Sequence, residues 1–253
     1  ALSGVFWLAL AVALSMGIKH SKLGWRRNIM IVAITVWMLA LAAHVLPGFN
    51  NLLVLDDVKV SELGIGFTLF LNIDKPFLVF VLLLFVPTLI KSTHDIAPIK
   101  SSSLKAQSGQ LLSPELSEFL IKIGLIIALF ILVFALAVGF ELIQPDVKVP
   151  TWWWLFAFNN LLFTCVAEEA FFRGFVQQSL TKKYGAVIAL GITSMLFGVA
   201  HFAGGVAYVG VATIAGLLYG LSHYWWRNLY VPILLHFAVN MVHLLFFTYP
   251  MLA

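Results

Sequence analysis

Two adjacent acids stand inside an apolar run, Leu161-Leu-Phe-Thr-Cys-Val-Ala-Glu168-Glu169-Ala-Phe-Phe-Arg173-Gly-Phe175. A charge at the centre of a bilayer costs about 2.5 to 3.5 kcal/mol on insertion scales, so such groups face a protein interior or a water cavity. Two carboxylates side by side raise the cost, because like charges in low dielectric resist joint ionisation. Arg173 follows Glu169 by one helical turn, where its guanidinium can fork onto the carboxylate. Side chains at i and i+1 diverge by about 100° around a helix, so the two acids take different tasks. Glu168 is assigned to a cavity as general base, and Glu169 with Arg173 to a supporting ion pair. A purely structural salt-bridge cluster is the bland alternative.

Three further polar groups stand in apolar surroundings. His201 closes Thr193-Ser-Met-Leu-Phe-Gly-Val-Ala-His201, and His236 and Asn240 share Leu234-Leu-His-Phe-Ala-Val-Asn240. Their i, i+4 spacing stacks His236 over Asn240, so both can address one point. Each alone suits a helix-helix hydrogen bond. Together with the acids they are satisfied at lower cost by one common cavity than by three separate solutions. Such a set can hydrolyse an amide: Glu168 and His201 orient and deprotonate water, while His236 and Asn240 stabilise the oxyanion. No cofactor is favoured. Zinc stays open as a second reading, with Glu168, His201 and His236 as its ligands, but no His-Glu-x-x-His helix is present and Asn is an unusual zinc ligand.

The elements that must position these groups are membrane helices. The chain is 62% hydrophobic and only 10% charged, with a mean hydropathy of +1.01, far from the balance of a soluble domain. Counting segments of roughly 20 apolar residues gives about eight spans, an all-α polytopic bundle with an intramembrane polar cavity. The expected spans are 2–18, 28–46, 76–90, 119–140, 152–182, 186–201, 206–224 and 230–249. The fifth is too long for one simple span and implies an extension or a break. Leu2 to Ile18 reads as a retained helix, since no basic region precedes it.

Period-two alternation around Ile65, Phe67, Leu69, Leu71 and Ile73 predicts a small extracytoplasmic hairpin near 52–74. A Ser/Gln/Lys-rich linker at Lys100 to Pro114 reads as disordered. It separates an N-terminal membrane region, 1–118, from a core, 119–253, that carries the chemistry. Lys and Arg concentrate in the loops of one side, which the positive-inside rule makes cytoplasmic, with both termini opposite. Those residues form no stripe for nucleic acid despite a net charge of +4. Lys75 reads as a loop charge and His44 and His223 as loop or boundary residues; His243 shares the face of His236 and can extend the polar cluster, though its place near the helix end suits an interfacial role. Gly204, Gly205, Gly210, Gly216 and Gly220 predict close helix approach. Cys165, the one cysteine, excludes an internal disulfide.

Glu168-Glu-Ala-Phe-Phe-Arg173, Phe197-Gly-Val-Ala-His201 and His236-Phe-Ala-Val-Asn240 resemble, in order, the three motifs of the CPBP (CAAX protease and bacteriocin-processing, or Abi) intramembrane proteases. The resemblance covers about the last hundred residues. It implies a bundle of about eight helices whose cavity admits a peptide, with Glu168 and His201 activating water, His236 and Asn240 as oxyanion ligands, and Glu169 and Arg173 supporting. The substrate it implies is a peptide or lipidated protein, prenylated in one branch of the family, met among membrane lipids, and the location is a prokaryotic inner membrane. Use of a metal is argued within the family. A proton-coupled transporter and a non-catalytic scaffold or immunity protein are the competing classes. Intramembrane acids and histidines also build proton relays, but no inverted repeat supports a carrier.

Overall fold

The computed structural model describes residues 2–72, 74–86, 89 and 113–253. Residues 100–112 of the linker expected at Lys100 to Pro114, Ile73 of the expected hairpin and the end of the third span lie outside them. Eight helices are described. They are α1 (Leu2–His20), α2 (Gly24–Ala42), α3 (Lys75–Phe85), α4 (Pro114–Gly139), α5 (Trp153–Tyr184), α6 (Ala186–Ala200), α7 (Gly205–Trp226) and α8 (Tyr230–Phe246). Of these, α1, α2, α4, α5 and α7 are long and apolar enough to cross a membrane, while α3, α6 and α8 are shorter. The all-helical membrane bundle read from the composition is therefore observed.

Polarity decides which helix is central. The apolar stretch of α4 has a hydropathy of 3.0 and is only 11% buried, whereas that of α5 has a hydropathy of 1.3 and is 50% buried. A helix apolar on every side can meet lipid, and Phe119, Ile121, Ile127 and Ile131 of α4 point outward. A helix carrying Glu169 and Arg173 cannot meet lipid, and both side chains are fully buried. The expected division at 118/119 falls inside α4. That helix starts at Pro114, after the Ser113 side chain accepts a hydrogen bond from the Leu116 amide at 3.2 Å.

The fifth span is not broken. α5 runs for 32 residues, about 48 Å at the α-helical rise and longer than a hydrocarbon core. Within it, Asn160–Cys165 and Ala170–Gln177 are wound as π-helix, and Glu168 and Glu169 lie on the short α-helical piece between them. A π turn closes i→i+5 bonds and shifts which face later residues present. The helix stops at Gly185, whose φ of +84° only glycine adopts without cost, and α6 begins at once.

At one end of the bundle the hairpin forms from β1 (Leu52–Val58) and β2 (Phe67–Leu71), paired antiparallel with Leu52 opposite Leu71 and Val58 opposite Phe67. Two register irregularities interrupt the ladder. Phe67 anchors β2 to the start of α5 and to the C-terminal tail, with ring centroids 5.6 Å from Trp152 and 4.9 Å from Tyr249. The tail is tied in turn, by bridges between Gly64 and Leu252 and between Pro145 and Phe247. The Tyr249 amide donates to Ser61 Oγ at 3.0 Å.

Candidate active site

The two acids face different worlds. Glu169 is fully buried and sits at the hub of a dry network. Arg173 NH1 donates to Glu169 Oε1 at 3.2 Å, and Arg173 Nε lies 3.1 Å from Oε2. The second contact is an ion pair without hydrogen-bond alignment, so the expected fork is made by one arm only. The other guanidinium arm donates to the Gly216 carbonyl of α7 at 2.9 Å. Gly216 allows this approach, because a Cβ there would stand 3.0 Å from the Ser194 carbonyl oxygen of α6. The small-residue reading holds at that position, whereas Gly205 and Gly210 face open space. Rings of Phe172, Phe197 and Tyr219 surround the guanidinium, with centroids 4.7 to 5.7 Å away, replacing lost water with their negative faces.

His236 joins this network from α8. Its Nδ1 lies 2.9 Å from Glu169 Oε1, and its ring stacks on Tyr219 at 4.7 Å with a 13° tilt. A carboxylate only accepts, so Nδ1 carries the hydrogen and Nε2 is the nitrogen left for the cavity. His201, just past α6, is set the same way. Its Nδ1 is 2.7 Å from the Phe197 carbonyl, which again puts the hydrogen on Nδ1 and frees Nε2.

Glu168, 22% exposed, turns from the network toward a polar cavity of 170 Å³. His201, His236 and Asn240 line that same cavity, with Tyr208 and His243 beside them. Lys75 Nζ approaches Glu168 Oε1 at 3.5 Å, while Oε2 is buried and has no partner. An unpartnered buried carboxylate oxygen is costly unless a ligand or water completes it. Asn240 Nδ2 donates to Asn160 Oδ1 at 3.2 Å, which also accepts from the Cys165 thiol at 3.2 Å. Cys165 is thus buried as expected but serves a polar contact as well.

Every sequence-predicted site residue therefore lies either on the cavity (Glu168, His201, His236, Asn240) or in the network behind it (Glu169, Arg173). Sequence reasoning missed Lys75, read as a loop charge; it opens α3 and compensates Glu168. The available signal was its place directly before an apolar helix, once a second intramembrane acid needed a cation. His243 extends the polar cluster, as its face shared with His236 allowed: it lines the cavity and its Nε2 lies 3.2 Å from the Thr248 carbonyl. His223 sits in the last turn of α7, at a helix end as expected, and is buried there. His44 does lie outside the helices, but its Nδ1 is 2.6 Å from buried Asp74. Among the described residues, no three His, Cys, Asp or Glu side chains are grouped so as to hold a metal ion.

Residues 150–242 match a family model described as Rce1-like, type II CAAX prenyl endopeptidase Rce1-like. The matched segment holds Glu168, Glu169, Arg173, His201, His236 and Asn240 and leaves out α1 to α4. It supports the CPBP/CAAX protease resemblance read from the three motifs and indicates a membrane protease at the level of the family. No curated protein and no solved structure matches the chain.

Proposed function

Starting from that family match, we propose that the chain is a multi-pass intramembrane endopeptidase that hydrolyses a peptide bond in a membrane-associated protein or peptide. The observation that carries this is the arrival of Glu168, His201, His236 and Asn240 from three separate elements at one polar cavity. A water in the cavity loses its proton to the Glu168 carboxylate, with the His201 Nε2 lone pair orienting it, and attacks the carbonyl carbon. The oxyanion that forms is met by Asn240 Nδ2 and by Nε2 of His236 in its imidazolium form, which keeps both of its protons through the cycle. Glu169 then supplies the counter-charge. The proton on Glu168 passes to the leaving amine as the C–N bond breaks.

All these roles belong to side chains, and the proposed reaction needs no metal. Zinc held by Glu168, His201 and His236 is the competing form. A substrate lipidated with a prenyl group is proposed from the likeness to prenyl endopeptidases, and the proposed location is a prokaryotic inner membrane. The test uses purified, detergent-solubilised protein and a farnesylated CAAX peptide, with products identified by mass spectrometry. Cleavage that survives prolonged chelation supports the metal-free reaction. Cleavage abolished by chelation and restored by zinc sinks it, and no cleavage of any membrane peptide sinks the protease itself.

A further inference from the structure

We infer that the free edge of β2 receives the substrate as an added extended strand and leads it into the catalytic cavity. The nature of the ligand rests on the proteolytic reading above. A groove of 640 Å³ runs beside β2, and four successive residues, Phe67, Thr68, Leu69 and Phe70, all line it. Successive side chains of a strand point to opposite faces, so a groove touched by four in a row follows the backbone edge and not a face. β1 pairs with β2 on one side, and among the described residues no strand pairs on the other. An unpaired edge offers a row of amide and carbonyl groups that an extended peptide can complete.

The opposite wall specifies what completes it. Asn159 of α5 is 3% exposed, lines the groove, and has a buried Oδ1 without a partner. At the end of the groove, directly before β1, Asn51 also has a buried and unpartnered Oδ1. Among the described residues no Asp, Glu, Lys or Arg lines the groove, and the one imidazole there, His44, is already bound to Asp74. A phosphate headgroup would look for a cation there and find none, and an acyl chain would leave both carboxamide oxygens stranded. A peptide backbone is neutral and alternates donors with acceptors, which fits the Asn159 carboxamide on one side and a strand edge on the other. Asn160, Thr164 and Tyr249 line both this groove and the cavity of Glu168, so the two spaces adjoin.

The test uses the full chain carrying Glu168→Gln and three fluorescent farnesylated CAAX peptides. One is unmodified, and two are backbone-methylated at alternate residues in opposite phase. Strand addition predicts that one methylated phase loses affinity by about tenfold while the other binds as the parent does, since roughly two hydrogen bonds are removed. Asn159→Leu, which also removes a stranded oxygen, should keep or raise the thermal midpoint while weakening peptide binding several-fold. Equal binding by all three peptides overturns the inference, as does no binding by any, or an Asn159→Leu protein that binds normally. Cleavage by the unsubstituted chain is followed separately. If phase-dependent binding persists where nothing is cut, the groove stands and the proteolytic reading falls; cutting that ignores the methylation phase does the reverse.

Discussion

Glu168 and Glu169 are neighbours in sequence, and their surroundings could hardly differ more. Behind Glu169 lies a sealed network in which one carboxylate holds an arginine and an imidazole, with aromatic rings in place of solvent. In front of Glu168 lies a polar cavity, with one oxygen near Lys75 and the other left unpartnered. The contrast separates structural from chemical use of the same side chain. A group whose every valence is met is fixed in place, and a group with a valence to spare can bind and react.

Substitutions that keep size and remove charge break the comparison most directly. Glu168→Gln should lower cleavage by about 100- to 10,000-fold, the range for a lost general base, and leave the thermal midpoint nearly unchanged; peptide-cleavage assays and thermal denaturation in detergent decide it. The same activity loss with a collapsed midpoint would erase the distinction between the acids. Glu169→Ala should cost about 3 to 5 kcal/mol of stability, because Arg173 is left buried without its countercharge. Thermal denaturation reads this, and co-substitution of Arg173→Met should recover much of it. Asn240→Ala should cost about 100- to 1000-fold in turnover, as for one oxyanion donor, with KM little changed; a change confined to KM would assign Asn240 to substrate binding instead.

The smallest effect lies in the loop before α5. A hydrogen bond from Ser61 outweighs partial desolvation, and with Lys148 3.1 Å away it holds the Asp146 carboxyl below its ordinary range. A lowered folded-state value contributes stability above the unfolded value, and that contribution fades as pH falls through the folded one. Asp146→Asn should therefore flatten the acid side of the midpoint-versus-pH curve slightly and leave cleavage at neutral pH untouched. Parallel curves for the two proteins would show that the loop carries no such linkage.

How far these features were legible depends on the range of the interaction behind each. The bundle was legible because span length is set by bilayer thickness, and the Glu169–Arg173 contact because i, i+4 spacing is local. The cavity residues stood out because polar groups in apolar helices need a shared solution. The Lys75–Glu168 contact joins distant parts of the chain, and no period in the sequence points to it. β1 fell inside the hairpin expected near 52–74, although Leu52–Val58 has no period-two pattern of its own and the alternation of β2 had to mark the pair. The π turns of α5 left no composition signal, since the change is one of hydrogen-bond partner and not of residue type.

Those π turns make the assignment of the two acids a matter of counting. Rewinding Asn160–Cys165 as ordinary α-helix, with no residue removed, would turn everything after it by about 100°. Glu168 would then take the direction of Glu169, and Ala167 would stand where a carboxylate now faces the cavity. The extra residue that a π turn takes up thus sets which acid meets the cavity, making helical pitch itself part of the site's specification.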